Sequence, residues 1–276
     1  MSSPEPIDPS AFHRFEQAGW QRAALHYSDT FGTMTAQTTR SLLDAAGVEA
    51  GMRVLDVATG PGYVAAEAAR RGASVVAIDF SPVMVTEARH RCPDVEIYEG
   101  DAQALAFDDG EFDAVVMNFG LLHLARPDAA LREACRVLLS GGRGAFTVWA
   151  NPEQAVGFGV VLRAMEAYGT LDVGLPPGPP FFRFSDPEEF MRSLTSAGFA
   201  RVEVRQLPMT WDLPSAEALF EAALHGGVRT SAALQAQTPQ ALAAIRHAVL
   251  TALDAYADGE KIRLPMEVVL ASGTKP

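Results

Sequence analysis

Cysteine is scarce in this chain: Cys92 and Cys135 are the only two among its 276 residues. Both lie in segments with a helical pattern, so we expect two buried free thiols in a reducing compartment and no disulfide framework. Long apolar runs are also missing, because no segment approaches the roughly 20 apolar residues that span a bilayer. Residues 1–6 lack the basic start and the apolar stretch of a secretory signal. These absences predict a cytoplasmic protein without stable membrane insertion.

Basic residues are outnumbered: 22 Lys and Arg stand against 34 Asp and Glu, which gives a formal net charge of −12 at pH 7. A negative surface repels phosphate backbones, so we do not expect a nucleic-acid substrate. The six histidines are scattered, and no group of His, Asp and Glu shows the spacing of metal ligands. We therefore predict no metal site.

Two kinds of periodicity divide the chain. Residues 12–27 and 35–46 have helical spacing, whereas from Arg53 onward short apolar runs alternate with helical segments. That alternation is typical of successive βαβ units and a parallel sheet. It predicts strands at 54–57, 75–79, 95–99, 112–118, 145–149 and 201–207, and an edge or next-to-edge strand at 266–271.

Proline and glycine mark the predicted helix ends. Helices are expected to begin at Ser81-Pro82 and at Pro127-Asp128, and the second of these to end at Gly141-Gly142. A proline-rich loop follows at 173–181. The remaining helices are predicted at 151–169, from Asp186 to near Gly198, and in a helical insertion at 214–258 whose last helix runs from Thr238 to a stop at Gly259.

The most informative segment is a glycine turn after the first strand, with the sequence Val54-Leu-Asp-Val-Ala-Thr-Gly-Pro-Gly-Tyr63. Glycine lets a ligand approach the backbone closely, and the free N–H groups of the following helix then face that ligand. A strand that enters a helix through such a turn predicts a nucleotide-type site at the carboxyl ends of the strands of a doubly wound sheet.

The turn alone leaves the ligand open. Gly60-x-Gly62-x-x-Ala65 also fits the dinucleotide fingerprint, and Asp79 ends the next strand, where a carboxylate accepts hydrogen bonds from ribose. A nicotinamide-dependent oxidoreductase is therefore one interpretation. Asp56, four residues before Gly60, would repel a pyrophosphate at this position. An amino-bearing ligand suits the site better.

Four segments, in order, resemble the successive motifs of class I S-adenosylmethionine-dependent methyltransferases: Val54–Tyr63, Asp79, Gly100–Ala102 and Asn118–His123. The chain is particularly similar, from Gly51 to Trp149, to the group that includes the ubiquinone and menaquinone C-methyltransferases. The resemblance implies an α/β fold: a doubly wound, Rossmann-like sheet of seven strands, the last antiparallel, with an N-terminal helical lid and a C-terminal helical insertion. It implies a lid at 1–50, a cofactor-binding core at 51–150, and acceptor-site helices and completing strands of the same domain at 151–276.

The same resemblance implies S-adenosylmethionine as the cofactor and assigns residues to it. Asp56 would hold the methionine ammonium, Gly60 and Gly62 would let the backbone pass the methionyl group, and Asp79 would accept the ribose hydroxyls. The other implied positions line the adenine, flank the sulfonium or cover the mouth of the site: Tyr27, Ala58, Phe80, Met84, Asp101, Ala102, Asn118 and Phe119.

Some of these residues also have purely structural interpretations. Asp79 could be a carboxylate favoured by a helix dipole, Asp101 an Asx-turn residue, and Met84 an ordinary core side chain. His123, after the fourth strand, is the candidate general base, because an imidazole suits proton transfer at neutral pH. The alternative is a structural histidine that bonds to a neighbouring loop.

The predicted activity is in-line transfer of a methyl group to carbon or oxygen of a small-molecule acceptor. Aromatic and sulfur side chains in the later segments could line an apolar pocket for an aromatic, isoprenoid or polyketide-like acceptor: Phe158, Met165, Tyr168, Phe181 and Phe182. A homodimer could cover the apolar face of the helical insertion. A cofactor-binding protein without methyl transfer, and another reaction such as a cyclisation or decarboxylation, stay open because a fold does not fix chemistry.

Overall fold

The computed structural model describes residues 7–276, and in it the chain forms two compact units. Within the described part, the first unit contains residues 7–34, 150–178 and 208–268. The second unit contains residues 35–149, 179–207 and 269–276. Residues 1–6, which belong to the predicted lid, lie outside the described residues.

A seven-stranded sheet forms the centre of the second unit. Numbered in chain order, its strands are β1 (Arg53–Val57), β2 (Ser74–Asp79), β3 (Glu96–Glu99), β4 (Phe112–Asn118), β5 (Leu138–Trp149), β6 (Ala200–Leu207) and β10 (Val268–Thr274). Their order across the sheet is β3-β2-β1-β4-β5-β10-β6, with β10 antiparallel. The predicted doubly wound sheet is confirmed, and the final strand takes the predicted next-to-edge position.

Two strands of this sheet, β1 and β10, are buried along nearly their whole length. All residues of β10 are buried, as are all but the first of β1. Both patterns are those of strands enclosed on two faces. The covering helices in this unit are α3 (Thr39–Ala45), α4 (Tyr63–Arg70), α5 (Pro82–Arg91), α6 (Pro127–Val137) and α8 (Pro187–Ser196).

Two of the predicted helix starts, those of α5 and α8, are confirmed by their caps. The Ser81 hydroxyl accepts a hydrogen bond from the Met84 N–H at 3.4 Å, and Pro82 is the first residue of α5. Asp186 caps α8 in the same way, accepting from the Glu188 N–H at 2.9 Å. Both caps satisfy N–H groups that have no partner inside the helix.

The predicted end of α6 at Gly141-Gly142 is wrong. The helix ends at Val137, and β5 begins at Leu138 and runs through both glycines. The cause is long-range pairing: the Gly141 N–H donates to the Lys275 carbonyl at 2.8 Å, and the Lys275 N–H donates to the Gly142 carbonyl at 2.9 Å. Because Gly141 and Gly142 pair with Lys275 near the C-terminus, they form part of a strand and do not end a helix. The predicted helix at 35–46 is also interrupted, by a 3₁₀ turn at Ala36–Thr38.

The first unit is mainly helical. It contains α1 (Pro9–Tyr27), most of α2 (Phe31–Thr35), α7 (Val156–Tyr168), α9 (Ala216–His225), α10 (Arg229–Gln235) and α11 (Pro239–Leu253). A small antiparallel sheet of β7 (Thr210–Leu213), β8 (Ala257–Asp258) and β9 (Lys261–Pro265), in the order β7-β9-β8, completes it.

The small sheet was not predicted. The insertion also contains the three helices α9, α10 and α11. The strands of the small sheet have two to five residues, contain charges and end at Pro265, so they give no clear strand pattern. The predicted helix stop at Gly259 is also wrong, because α11 ends at Leu253. Gly259, with φ of +64°, instead lies in the tight turn between β8 and β9.

Both cysteines are buried and free, as predicted. Across residues 7–276, no helix combines the length and the apolar character that a membrane crossing requires. In the same range, no three His, Cys, Asp or Glu side chains are grouped so that they could hold a metal ion.

The sheet core offers a direct test of packing. Phe146 on β5 is fully buried, with its ring centroid 5.8 Å from that of Phe199. We expect Phe146→Ala to lower the free energy of unfolding by about 3–5 kcal/mol, through lost burial and the cavity left behind. Leu139→Ala, on the same strand but at a side chain that is 41% exposed, should cost about 0.5 kcal/mol or less. Urea unfolding followed by circular dichroism measures both, and equal losses would contradict this description of the core.

Candidate functional site

The predicted site residues of the second unit gather at one edge of its sheet. β1 is the neighbour of both β2 and β4, and the three strands are parallel. Asp56, Asp79 and Asn118 lie at or next to the carboxyl ends of these strands. Ligands of doubly wound sheets bind at this edge, where the chain leaves adjacent strands toward opposite faces.

The glycine turn has a left-handed backbone at three positions. Ala58, Gly60 and Gly62 have φ of +55°, +54° and +86°. A Cβ on Gly60 would meet no atom within 4 Å, so this glycine is needed for its conformation and leaves open space beside the backbone. A Cβ on Gly62 would lie 3.2 Å from the Cys92 sulfur. Gly62 is also the N-cap of α4 and, having no side chain, supplies no side-chain cap to the first N–H groups of that helix.

Asp56 is a fully buried carboxylate with one unsatisfied oxygen. Its Oδ2 accepts a hydrogen bond from the Thr59 hydroxyl at 2.6 Å, whereas Oδ1 has no partner among the described residues. Burial raises the pKa of Asp56 to about 7, against the lowering effects of the Thr59 hydroxyl and the backbone N–H of Ala65. A buried oxygen without a donor is costly. A ligand that brings a positive donor to Oδ1 would remove this cost.

Asp79 joins the second strand to the glycine turn. Its Oδ2 accepts from the Gly60 N–H at 2.8 Å, and its Oδ1 accepts from the Ser81 N–H at 2.9 Å. Burial raises the pKa of Asp79 to about 6, although these backbone hydrogen bonds lower it. The bond from the Ser81 N–H is the contact that a purely structural role for Asp79, as a carboxylate at the start of a helix, requires. The structure also places this carboxylate directly beside the open Gly60.

The residues predicted to surround adenine follow β2 and β3. The Gly100 N–H donates to the Asp79 carbonyl at 3.0 Å, which ties the Asp101 loop to the end of β2. Asp101 Oδ1 accepts from the backbone and side-chain nitrogens of Gln103 at 2.9 and 3.0 Å, so the Asx-turn contact is present. Ala102 and Met84 are buried, and Phe80 is half-buried. Met84 thus also meets the description of a core residue.

Asn118 is the centre of a polar network at the end of β4. Its Oδ1 accepts from the hydroxyls of Thr147 at 2.5 Å and Thr38 at 2.8 Å, and its Nδ2 donates to the Thr35 carbonyl at 3.1 Å. The Thr147 hydroxyl in turn accepts from the Phe119 N–H at 3.1 Å. These bonds engage both ends of the amide and fix the turn that follows the strand.

That turn is strained and closely packed. Phe119 has φ of +57°, an unusual conformation for a bulky residue. Its ring stacks on that of Trp149, with 4.1 Å between centroids. A Cβ on Gly120 would lie 2.8 Å from the Ala58 side chain, so the turn after β4 touches the glycine turn after β1. The two turns predicted to flank one ligand are therefore in contact.

His123 lies one turn further along, in a 3₁₀ helix at Leu121–His123. Its ring is half-buried, and its centroid lies 6.0 Å from that of Phe181 in an edge-on arrangement. A half-buried imidazole at this edge of the sheet is reachable from solvent. Its catalytic role stays a prediction.

Tyr27 is the predicted cofactor residue that belongs to the first unit. It is the last residue of α1, and its ring centroid lies 5.4 Å from that of Trp20. This pair is the aromatic contact that helical spacing predicts. The roles of Tyr27 in cofactor binding and of α1 as a lid stay predictions.

Sequence reasoning missed Thr38, Thr147 and Arg91, which hydrogen-bond to Asn118 or to the glycine turn. Thr147 is a fully buried hydroxyl within the apolar run Ala145–Trp149. A polar residue in a strand buried on both faces requires a partner, and that was the available signal. The contacts made by Thr38 and by Arg91, whose Nε donates to the Pro61 carbonyl at 2.9 Å, carry no comparable mark in the sequence.

Comparison with known proteins identifies the family. A family model for a methyltransferase domain matches residues 55–146. The demethylmenaquinone methyltransferase of Corynebacterium kroppenstedtii is 33% identical over 185 residues, which cover 63% of this chain and 78% of that protein. The chain belongs to the class I S-adenosylmethionine-dependent methyltransferases. The predicted family is confirmed, and S-adenosylmethionine, the predicted cofactor, is the methyl donor of this family.

Similarity elsewhere supports the methyltransferase fold. The demethylmenaquinone methyltransferase of Beutenbergia cavernae is 44% identical over 116 residues, and the match spans about half of its length: 48%, and 42% of this chain. The structure of phosphoethanolamine N-methyltransferase 2 from Haemonchus contortus, in complex with S-adenosyl-L-methionine, matches all of this chain and 62% of its own, with a TM-score of 0.59 and 19% identity. None of these matches points to a nicotinamide-dependent oxidoreductase.

The residues present fit the methyltransferase cofactor. An ammonium group is the kind of donor that Asp56 Oδ1 lacks among the described residues, and the hydroxyls of a ribose can add to the backbone donors of Asp79. The open space at Gly60 leaves room for a ligand to lie against the turn. A cationic cofactor also suits a chain whose net charge is −12.

The raised pKa of Asp56 predicts a pH-dependent stability for the ligand-free methyltransferase. Its carboxyl pKa is about 7 when folded, against an ordinary value of 3.8, so the folded chain holds a proton that the unfolded chain releases. Stability should therefore fall as pH rises from about 4 through 7. We expect Asp56→Asn to flatten this fall and to stabilise the chain at pH 8, by on the order of 2 kcal/mol.

Thermal unfolding between pH 5 and pH 8 measures the effect. Asp108→Asn, at an exposed carboxyl, is the matched control and should leave the pH profile of the wild type unchanged. An Asp56→Asn profile that parallels the wild type would show that this carboxyl is not held protonated.

Proposed function

We propose that this chain transfers a methyl group from S-adenosylmethionine to carbon or oxygen of a small-molecule acceptor. The observation that carries the proposal is the pair of buried carboxylates beside the glycine turn, of which Asp56 has an unpartnered oxygen. A ligand with an ammonium group and two neighbouring hydroxyls supplies donors to both. This pairing supports Asp56 as the ammonium ligand and Asp79 as the ribose ligand.

Other residues complete the proposed cofactor site. Ala58, Gly60 and Gly62 let the backbone lie against the methionyl part, while the turn held by Asn118 and Phe119 borders the reacting end. Around adenine, the proposal keeps Phe80, Met84, Asp101 and Ala102, with Asp101 Oδ2 available because Oδ1 is used by Gln103. Tyr27 stays a proposed cofactor-binding residue.

Little further catalysis is required of the chain. When bound, S-adenosylmethionine supplies a methyl group on a positively charged sulfur, which is already an activated leaving group. The side chains then need to orient the acceptor and exclude water. The strained Phe119 turn and its stack on Trp149 provide a fixed wall for that purpose.

His123 is the proposed general base. An imidazole nitrogen of His123 would accept the proton that the acceptor loses when the methyl group is transferred to it from the sulfur. A hydroxyl or an acidic C–H of the acceptor is the source of this proton. The half-buried position of His123 beside Phe181 supports this role.

The proposed acceptor is a hydroxylated aromatic compound, with an isoprenoid or polyketide-like skeleton. Two observations support it: relatives named for demethylmenaquinone, a quinone, and aromatic side chains at the end of β4 and near His123. Of the other predicted acceptor residues, Met165 is buried and Tyr168 is 56% exposed, whereas Phe158 lies in a ring cluster with Phe31. A cytoplasmic location, a homodimer and the exclusion of nucleic acid remain part of the proposal.

Cofactor binding is the first test. Calorimetric titration should show binding of S-adenosylmethionine and S-adenosylhomocysteine, but not of NADH. Asp79→Asn should weaken that binding by about tenfold or more, because it removes charge-assisted hydrogen bonds. Affinity should also fall as pH drops below 7, since Asp56 must be ionised to bind an ammonium.

A thermal unfolding scan of the ligand-free Asp79→Asn variant controls for a general loss of structure. Binding of NADH alone would overturn the assignment and restore the oxidoreductase interpretation. An affinity that rises as pH falls would contradict the role of Asp56.

Methyl transfer is the second test. Transfer of a labelled methyl group to a reduced, prenylated naphthoquinone should occur with the wild type. His123→Gln should reduce the rate on the order of 10²–10⁴-fold while leaving the affinity for S-adenosylhomocysteine unchanged. A His123→Gln variant with full activity would assign the histidine a structural role. Binding of the cofactor without transfer to any hydroxylated aromatic would favour a cofactor-binding protein.

A further inference from the structure

The C-terminal end of α5 contacts the glycine turn through the side chains of Arg91 and Cys92. Arg91 Nε donates to the Pro61 carbonyl at 2.9 Å, and its guanidinium carbon lies 4.2 Å from the centroid of the Tyr63 ring. The next residue, Cys92, is buried, and its thiol donates to the Gly62 carbonyl at 3.4 Å. We call these contacts of Arg91 and Cys92 the α5 clamp.

The α5 clamp fixes two successive peptide planes. The Pro61 carbonyl shares a plane with the Gly62 N–H, which donates to the Thr59 carbonyl at 3.0 Å. The Gly62 carbonyl shares the next plane with the N–H of Tyr63, the first residue of α4. Because a peptide group is rigid, a bond to its carbonyl also sets the direction of its N–H. The clamp therefore orients the start of α4.

The turn needs such a restraint because of its composition. Glycine populates many backbone conformations, and holding it in one of them costs more entropy than for any other residue. Open space surrounds Gly60 on its side-chain face, where a Cβ would find no atom within 4 Å, so packing does not hold it from that side. Two contacts restrain Gly60 instead. Its own N–H donates to Asp79, and the carbonyl of the next residue, Pro61, is held by the α5 clamp.

The helix α5 links these two restraints. It starts beside Asp79, where the Ser81 N–H donates to Asp79 Oδ1. It ends at Arg91, on the glycine turn. One rigid helix thus spans from the proposed ribose carboxylate to the backbone that borders the proposed methionyl group.

We propose that Arg91 is a positioning residue for cofactor binding, which acts through the Pro61 carbonyl and the Tyr63 ring to preorganise the glycine turn and the first amides of α4. The inference rests on the proposed function, because it assumes that this turn binds S-adenosylmethionine. The contacts of Arg91 with the Pro61 carbonyl and the Tyr63 ring are contacts with the turn itself. The effect of Arg91 is therefore on affinity, through the order of the empty site.

Arginine is suited to this role in a way that lysine is not. A planar guanidinium can stack on an aromatic ring and donate within its own plane at the same time. An ammonium group at the end of a flexible stem keeps the charge but cannot hold both contacts in one geometry. Arg91→Lys should therefore behave like a loss of the clamp, and not like a conservative change.

Arg89 provides a matched control on the same helix. Its Nε and Nη2 donate to the Ile97 carbonyl at 3.1 and 2.6 Å, so it too ties α5 to a backbone oxygen. That oxygen belongs to β3 and not to the glycine turn. Arg89→Met and Arg91→Met each remove one arginine–carbonyl contact from α5, and they differ in which backbone they release.

The experiment measures the Kd of S-adenosylhomocysteine by calorimetry for the wild type, Arg91→Met, Arg91→Lys and Arg89→Met, together with the Tm of each ligand-free protein. We expect Arg91→Met to raise Kd about tenfold and Arg91→Lys to raise it several-fold. Arg89→Met should leave Kd within about twofold of the wild type, although it lowers Tm. Hydrogen exchange at residues 60–65 of the ligand-free chain should accelerate in the Arg91 variants and not in Arg89→Met.

The outcomes separate the two proposals. If the wild type binds the nucleoside and the Arg91 and Arg89 variants share one Kd and one exchange pattern, the positioning role is wrong while the proposed function stands. If the wild type binds neither S-adenosylmethionine nor S-adenosylhomocysteine, the proposed function fails and the inference fails with it. Should Arg91→Met not fold, Arg91→Lys decides alone, and a wild-type Kd for it overturns the proposal.

Discussion

The bond from the Gly60 N–H to the Asp79 carboxylate holds the candidate site together. It joins the turn after β1 to the end of β2, at 2.8 Å, and it places a negative charge next to the open side of a left-handed glycine. Without this bond the glycine turn would have one restraint fewer, and Asp79 would lose one of the backbone donors that make its burial tolerable. This one contact depends on the order of the strands, on the conformation of the turn and on the position of the carboxylate.

Two buried carboxylates so close to one turn are unfavourable for the folded chain by itself. Burial raises the pKa of both, and Asp56 retains an oxygen with no donor among the described residues. Such a site is least stable when empty and gains most from a cationic ligand. Backbone strain at Ala58 and Phe119 is a further cost to the stability of the folded chain. Both residues adopt φ values above +50°, at the two turns that are in contact at Gly120.

The central part of the fold could be predicted because its signals are local. β1, β2 and β4 are apolar runs, Ser81-Pro82 and Asp186-Pro187 are caps, and the glycine turn carries its own pattern. The errors arise where distant residues decide. Leu138–Gly144 became strand because the C-terminal residues pair with it, and the short strands of β7 to β9 exist because they pair with one another. Sequence patterns do not record such pairing.

The same limit applies to the site. Asp56, Gly60, Gly62 and Asp79 were recognisable because a motif fixes their spacing, whereas the network of Thr38, Thr147 and Asn118 joins residues more than 25 positions apart. Asn118 was predicted as a site residue, whereas its partners Thr38 and Thr147 were not. The Phe119 N–H donates to the Thr147 hydroxyl, which ties this network to the strained turn.

The way the chain is divided between its two units has a consequence for inheritance. Each unit is built from three separate stretches of sequence, so the chain passes repeatedly from one unit to the other. A single crossover between two related genes therefore cannot exchange one unit intact. The exchange of a whole unit would require several crossovers, one at each boundary between the stretches. The stretch at 35–149, being continuous, can be inherited as one block.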